Sequence, residues 1–305
     1  MDVFRLTLRQ LQIFVAVAHA GSTSAAAEAV ALSQSATSSA LIDLERQLGV
    51  SLFDRVGKRL GLSESGRVLL PMARSLLDGA RQIAQAAQDP DQVLQSLRIG
   101  ASMTIADHLL VDVLCELLGR RPQQSDTWRS RVDVGNTQSI CSRVAAFELD
   151  LGLIEGDCHE ASLRVEPWLS DEMVIVGPAG MAAATRLSVS ALRQAVWLLR
   201  EPGSGTRDAC DRALLPHLKT YRRALELGSN DLIKKAVGAG MGLACLSRWV
   251  VKDALATGHL QEMPTVLPRI ERRYHWVIHR EKQVSPPLQR LIDLLQSSVQ
   301  NSVPA

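Results

Sequence analysis

Ser33, Gln34, Ser35, Thr37 and Ser38 fall within one short run, LSQSATSS, and their side chains are of the kind that read nucleic-acid base edges. A Gln amide can pair bidentately with adenine, while Ser and Thr hydroxyls donate to phosphates or bases and lose little side-chain entropy in doing so. Further on, Arg55, Lys58 and Arg59 crowd around a Gly-Lys tip, where each could neutralise a phosphate or enter a minor groove. A second chemistry is legible in the later half. Ser102-Met103-Thr104 and Asn136-Thr137 each follow an apolar strand-like run and open a helix-like one, offering hydroxyls and free backbone N–H groups at a positive dipole end. REPGSGTR, Arg200 to Arg207, repeats the arrangement with Ser204 and Thr206 as hydroxyls, Gly203 and Gly205 to let backbone approach a ligand, and two arginines for charge. Together these strand ends predict a binding site for an anion.

Taken singly, each feature has a blander explanation. Ser-rich turns cap helices, and a Gly-rich turn before a helix is most often only a turn. Their weight comes from company: a wing beside the polar helix start, and three strand ends of the same kind. Enzyme chemistry finds less support. The seven His residues form no HxxxH pair, and no GxSxG, P-loop or GxGxxG occurs, so neither a metal nor a nucleotide cofactor is expected. Asp171-Glu172 stands at a strand start, where solvation is the expected role, and Arg272, Arg273 and Arg280 read as exposed in preference to phosphate-binding. The five cysteines are scattered and odd in number, which predicts free thiols buried as small hydrophobes ahead of a redox sensor.

The elements that must position these groups are strongly patterned. Leu8, Leu11, Phe14, Val15 and Ala18 mark one face of a first helix that Gly21 ends, and Ala25 to Val30 form a short second one. A third starts at Ser33 and buries Ala36, Ala40, Leu41, Leu44 and Leu48 before Gly49 stops it, so the two make a helix-turn-helix with the polar run leading the second helix. Leu52 to Arg55 and Arg59 to Leu62 are the strands of a wing. Residues 1 to 66 carry as many acids as bases, so the argument rests on where Arg55, Lys58 and Arg59 stand and not on net charge. Ser63 caps a helix running to about Gln88, with Leu69, Met72, Leu76, Gly79, Ile83 and Ala86 at alternating steps of three and four, a seam for a partner helix.

From Leu97 onward seven strand-like runs alternate with helices, which predicts parallel sheets covered on both faces and split into two subdomains with the ligand between them. At 305 residues the chain has room for two or three domains, and no stretch approaches the roughly 18 apolar residues of a membrane span. The start, MDVFRLTLRQLQIF, lacks the pattern of a secretory signal, so the cytoplasm is the expected compartment.

The run SAAAEAVALSQSATSSALIDLERQLGVSLFDRVGKRLGLSESG resembles the N-terminal domain of LysR-type transcriptional regulators, with Ala-Ala-Ala, Ser-Gln-x-Ala, Leu-Glu-x-x-Leu-Gly and Leu-Phe-x-Arg in that order and spacing. REPGSGTR and ELGSNDLIKKAVGAGMGLACLSRW are similar to the subgroup that includes regulators of carbon fixation and sulfur assimilation. The resemblance implies an all-α winged helix-turn-helix (1–66), a linker and dimerisation helix (63–90), and a two-lobed α/β effector domain like a periplasmic binding protein (91–305). In that domain lobe 1 is expected at about 91–165 and 268–305, and lobe 2 at about 166–267. It further implies effector contacts at Ser102, Thr104, Thr137, Ser204 and Thr206, with Asn230 at a further helix start. The implied partners are an inverted-repeat DNA operator, a small anionic effector, further copies of the chain as a homodimer or homotetramer, and RNA polymerase. The competing readings are a small-molecule-binding protein or enzyme without DNA readout, and a thiol-based redox regulator.

Overall fold

The computed structural model describes residues 6–56, 59–88, 97–118, 130–180 and 186–301. By its internal contacts the chain divides into an N-terminal unit reaching Val93, joined by Glu281–Gln283, and a C-terminal unit made of the rest.

In the N-terminal unit, helices α1 (Leu8–Ala20), α2 (Thr23–Ala29) and α3 (Gln34–Leu48) precede strands β1 (Phe53–Val56) and β2 (Arg59–Leu62) and helix α4 (Glu64–Gln88). Caps explain the boundaries. Thr7 and Gln10 form a reciprocal capping box on α1, Ser22 and Ser33 accept from Ala25 and Ala36 N–H, and Gly21 and Gly49 end α1 and α3 with φ of 66° and 70°, left-handed values that glycine adopts without strain. Leu11, Phe14, Val17, Ala26, Leu41, Leu44 and Leu52 make the core with Leu70, Ala73 and Leu77 of α4, and Phe14 meets Phe53 edge to face at 5.6 Å. Each of the leucines, Phe14 and Val17 contributes about 1.5–3 kcal/mol by burial, the alanines less.

The buried face of α3 differs from the expected one. Thr37, Leu41 and Leu44 point inward, Ala36 is exposed and Leu48 is 38% exposed. Counting back seven residues, about two turns, from Leu44 lands on Thr37, whose methyl fills the position its polarity argued against. On α4 the inward residues are Leu70, Ala73 and Leu77, leaving Val68, Met72, Leu76 and Ile83 at 64%, 53%, 55% and 72% exposure.

The C-terminal unit runs β3 (Arg98–Ser102), α5 (Met103–His108), α6 (Leu110–Leu118), β4 (Arg131–Gly135), α7 (Thr137–Ala145), β5 (Leu151–Glu155), β6 (Leu163–Pro178), α8 (Val189–Gln194), β7 (Val196–Leu199), α9 (Gly205–Leu218), β8 (Arg223–Glu226), α10 (Asn230–Gly238), β9 (Ala244–Ser247), α11 (Arg248–Ala256), β10 (Leu260–Glu262), β11 (Ile270–His279) and α12 (Pro286–Asn301). Strand order in the main sheet is β10-β6-β11-β5-β3-β4, with β9 also on β6. Only part of it is parallel. β3 runs parallel to β4 and β5, but β11 is antiparallel to β5 and β6, as are β9 and β10 to β6; β7 and β8 pair in parallel as a separate two-stranded sheet. The two long strands β6 and β11 pass through both lobes side by side, and alternation of apolar runs could not reveal that the second returns against the first. One lobe buries Ile99, Leu151, Leu153, Trp276 and α12 residues Leu288 and Leu291; the other buries Leu192, Trp197, Leu214, Val237 and Leu246. Among the described residues no helix is long and apolar enough to cross a membrane.

Candidate functional site

Two sets of groups stand out, one in each unit. On α3, Ser33, Gln34 and Ser35 are exposed and Ser38 is half-buried. Ser33 Oγ accepts the Ala36 N–H at 3.2 Å and lies 3.0 Å from Ser35 Oγ, while Gln34 Nε2 donates to Thr23 Oγ1 at 3.3 Å, tying the start of α3 to the start of α2. Thr37 cannot join them. It is fully buried and its hydroxyl has no hydrogen-bond partner, so the sequence-based assignment of Thr37 to the reading face is corrected. Ser39 and Ile42, exposed and at helical spacing from Ser35 and Ser38, extend the strip instead.

The wing is an antiparallel ladder from Phe53↔Leu62 to Val56↔Arg59. In register Arg55 pairs with Leu60 and Arg59 with Val56, near its tip, and Lys58 lies outside the described residues. The ladder is anchored from both sides. Leu60 N–H bonds Gly21 O at 2.9 Å, and Glu45 Oε1 accepts Leu52 N–H at 2.7 Å, which accounts for the Glu of the Leu-Glu-x-x-Leu-Gly segment. Ser63 Oγ donates to Ser51 O at 2.6 Å and accepts Gly66 N–H at 2.9 Å, and a Cβ on Gly66 would lie 2.1 Å from Leu52 O.

In the C-terminal unit Ser102, Thr104, Thr137, Ser204, Thr206 and Asn230 are all buried, at 4% exposure or less. Ser102, Thr104, Thr137 and Thr206 meet at a group absent from the sequence-based set, Glu155 at the end of β5, and Asn230 joins them through Thr104. Thr104 N–H donates to Glu155 Oε1 at 3.0 Å, Thr206 Oγ1 donates to Oε2 at 2.9 Å, and Thr137 Oγ1 donates to the Glu155 carbonyl at 2.9 Å. Arg272 Nη1 pairs with Glu155 Oε2, and Arg272 Nε donates to Asp171 Oδ2 at 2.7 Å, whose other oxygen accepts Ser247 Oγ at 2.8 Å. Asn230 Nδ2 donates to Thr104 Oγ1 at 3.2 Å and its Oδ1 accepts Arg200 Nη1 at 2.9 Å; Arg200 also grips Glu201. Ser204 precedes α9 as its cap residue, and Ser102 is buried beside Glu155.

Arg272 and Asp171, expected on the surface, are thus buried at 5% and 3% exposure. The fold carries both inside because β6 and β11 pair through Arg272↔Asp171. Burial alone would raise the Glu155 pKa, but Arg272 and the Ser102, Thr206 and Thr104 donors hold it below the ordinary carboxylate range. Gly203 and Gly205 also have a different use from the expected one. A Cβ on Gly205 would lie 2.0 Å from Glu155 O, and one on Gly203, at φ 82°, would lie 2.5 Å from Gln138 Oε1, so both glycines let the lobes approach each other. Gln138 N–H bonds Gly203 O at 3.0 Å across that approach. A cavity of about 390 Å³ opens beside it, lined by Thr137, Gln138, Gly203, Cys141, Cys158 and Asp208 among others. A larger one, about 700 Å³, lies against α9 and β11 and includes Arg272 but none of the six predicted residues.

Comparison with known proteins identifies two modules. Residues 8–67 match the bacterial regulatory helix-turn-helix of the lysR family, and residues 90–300 match the LysR substrate binding domain. The chain is 44% identical over 289 residues to the HTH-type transcriptional regulator YeiE of Escherichia coli, covering 94% of this chain and 96% of that one. Full-length OxyR from Pseudomonas aeruginosa superposes with a TM-score of 0.67 at 24% identity over 98% of this chain and 96% of that one. The regulatory domain of CcmR from Synechocystis, in complex with 2-PG, gives 0.59 at 27% identity over 68% of this chain and 98% of that one. A helix-turn-helix module and an effector-binding module matched end to end leave one conclusion: the chain belongs to the LysR family of DNA-binding, effector-controlled transcriptional regulators.

Proposed function

We propose that a small anionic metabolite controls this regulator by binding where Ser102, Thr104, Thr137, Ser204, Thr206 and Asn230 converge. One observation carries the reading: a backbone N–H, a hydroxyl and a guanidinium from three separate elements already meet on a single carboxylate, that of Glu155. A receptor for oxyanions is therefore built into the cleft, and in the closed arrangement Glu155 fills it. An effector anion takes the place of that carboxylate when the lobes part, and its differential affinity for the two arrangements shifts the population. The 2-PG bound to CcmR, an α/β regulatory domain 27% identical, supports an anion of this size.

At the other end, Ser33, Gln34, Ser35 and Ser38 read base edges in the major groove while Arg55, Lys58 and Arg59 contact phosphate or the minor groove. Domain limits follow the sequence-based assignment, with a reader at 1–66, a linker at 63–90 and an effector domain from 91. The exposed Val68, Met72, Leu76 and Ile83 on α4 pack against the same helix of a second copy, which places two readers on an inverted repeat. The protein acts in the cytoplasm, where it meets the operator and RNA polymerase.

Titration calorimetry of the full chain with inorganic phosphate and with 2-PG tests the cleft. Thr206→Ala and Ser204→Ala should weaken whichever anion binds, and Glu155→Gln, which removes the competing charge, should tighten it. Unchanged affinity in all three variants refutes the site.

A further inference from the structure

Cys141 and Cys158 come from different elements and meet beside the lobe contact. Cys141, in the second turn of α7, is buried in the apolar cluster of Ile140, Val144, Leu149 and Ile154, and Cys158, half-buried in the turn between β5 and β6, packs against that cluster. Both line the 390 Å³ cavity that also takes in Thr137 and Gly203, so a small molecule entering the cavity meets sulfur. Cys210 and Cys245 differ. They lie in a closed core, where the Cys210 thiol donates to Cys245 O at 3.1 Å.

The surroundings of Cys158 suit a thiolate. The Cys141 thiol donates toward it and the Glu160 backbone N–H adds a second donor, against burial and the Glu160 charge, which oppose ionisation. The other ionisable groups lining the cavity are Asp157 and His159 from its own turn and Asp208 from α9. The balance brings Cys158 to about 7, below an ordinary thiol, while the same hydrogen bond and burial push Cys141 far up and keep it protonated. One sulfur is thus a nucleophile near neutral pH and its neighbour a proton-bearing reserve.

We propose that Cys158 is an oxidisable nucleophile opening on this cavity, with Cys141 as its resolving thiol, so that a hydroperoxide links the two as a disulfide within the chain. The Cys158 thiolate attacks the peroxide O–O bond, which breaks; one oxygen stays on sulfur as the sulfenic acid and the other leaves, protonated, as alcohol or water. Cys141 sulfur then attacks Cys158 sulfur, the S–O bond breaks, and hydroxide takes the Cys141 proton to leave as water. Two electrons have passed from the thiol pair to the peroxide. The new bond fastens α7 to the β5–β6 turn, in the cavity where Gln138 and Gly203 join the lobes.

Reduced full-length protein treated with hydrogen peroxide, alkylated, digested without reductant and examined by mass spectrometry should yield a Cys141–Cys158 linked peptide, with exposed Cys115 still recovered as the alkylated thiol. Cys141→Ser should instead leave a sulfenic acid on Cys158 that dimedone traps. On unoxidised wild-type protein, iodoacetamide should label Cys158 with a pH midpoint near the value of about 7 that its hydrogen bonds set. Oxidation of Cys115 ahead of Cys158, or labelling of Cys158 that rises only above about pH 8.5 as for an unperturbed thiol, overturns the proposal. Both decisive readouts use the wild-type chain and depend on thiol chemistry alone, so they stand apart from the effector site.

Discussion

Replacing Arg272 with Met removes the guanidinium that touches both Glu155 and Asp171, each at most 3% exposed. The methionine retains most of the aliphatic volume, so the loss is chiefly electrostatic. Two carboxylates remain in the interior with their hydroxyl and N–H donors but without their cation, and breaking a buried pair in this way costs about 3–5 kcal/mol. For a unit of roughly 200 residues that corresponds to a fall in Tm of about 6–20 °C. All five tryptophans of the chain lie between Trp128 and Trp276, in the C-terminal unit, so a fluorescence melt of the full-length protein reports that unit alone. The pH dependence supplies a signature. In the wild type the Glu155 pKa is held down, so its stabilisation is present above the unfolded value of about 4.3 and is lost as pH falls through the folded value. In Arg272→Met only the hydroxyl and N–H donors are left to oppose burial, so the folded Glu155 pKa rises, and the deficit is complete at high pH and shrinks as pH is lowered and Glu155 takes up a proton. Adding Glu155→Gln to Arg272→Met should recover part of the loss. A Tm within about 2 °C of wild type, or a deficit that grows as pH is lowered from 7 to 5, refutes the assignment of Arg272 as the cation of this network.

Gln34→Ala should weaken binding to the specific operator more than to random duplex, whereas Arg55→Ala should weaken both and reduce the log–log salt slope by about one, which filter-binding across salt concentrations would read. Thr37→Val should leave operator affinity intact and leave stability unchanged or raise it by up to about 1 kcal/mol, since the valine removes a buried hydroxyl that has no partner; loss of operator affinity at an unchanged Tm would return Thr37 to the reading face. Leu76→Asp with Ile83→Asp, both on the exposed stripe of α4, should shift the chain toward monomer in sedimentation experiments without unfolding either unit.

The sequence by itself determined the local structure closely, because caps, glycine stops and apolar periodicity are local signals. Ser33 and Gly49 bound α3, Ser63 opens α4, and each of the seven strands expected after Leu97 is present within a few residues, although the one foreseen near Met173 is the end of the longer β6. The six residues proposed to bind the effector stood out for the same reason, as hydroxyls and an amide at strand ends. Only tertiary structure decided what faced them. Glu155 ends an otherwise apolar strand and carries no local mark of its partners, since Arg272 and Asp171 stand 117 and 101 residues from the groups they pair with, Glu155 and Arg272. Antiparallel pairing of β6 with β11 brings those charges inside, and charges join a core only when a partner arrives from elsewhere in the chain. The same holds for Thr37, where two turns of helix geometry outweighed polarity, and for Cys141 and Cys158, whose meeting depends on α7 packing against β5. Local propensity is written in neighbouring residues, but the chemistry of a buried site is set by which distant residues the topology makes into neighbours.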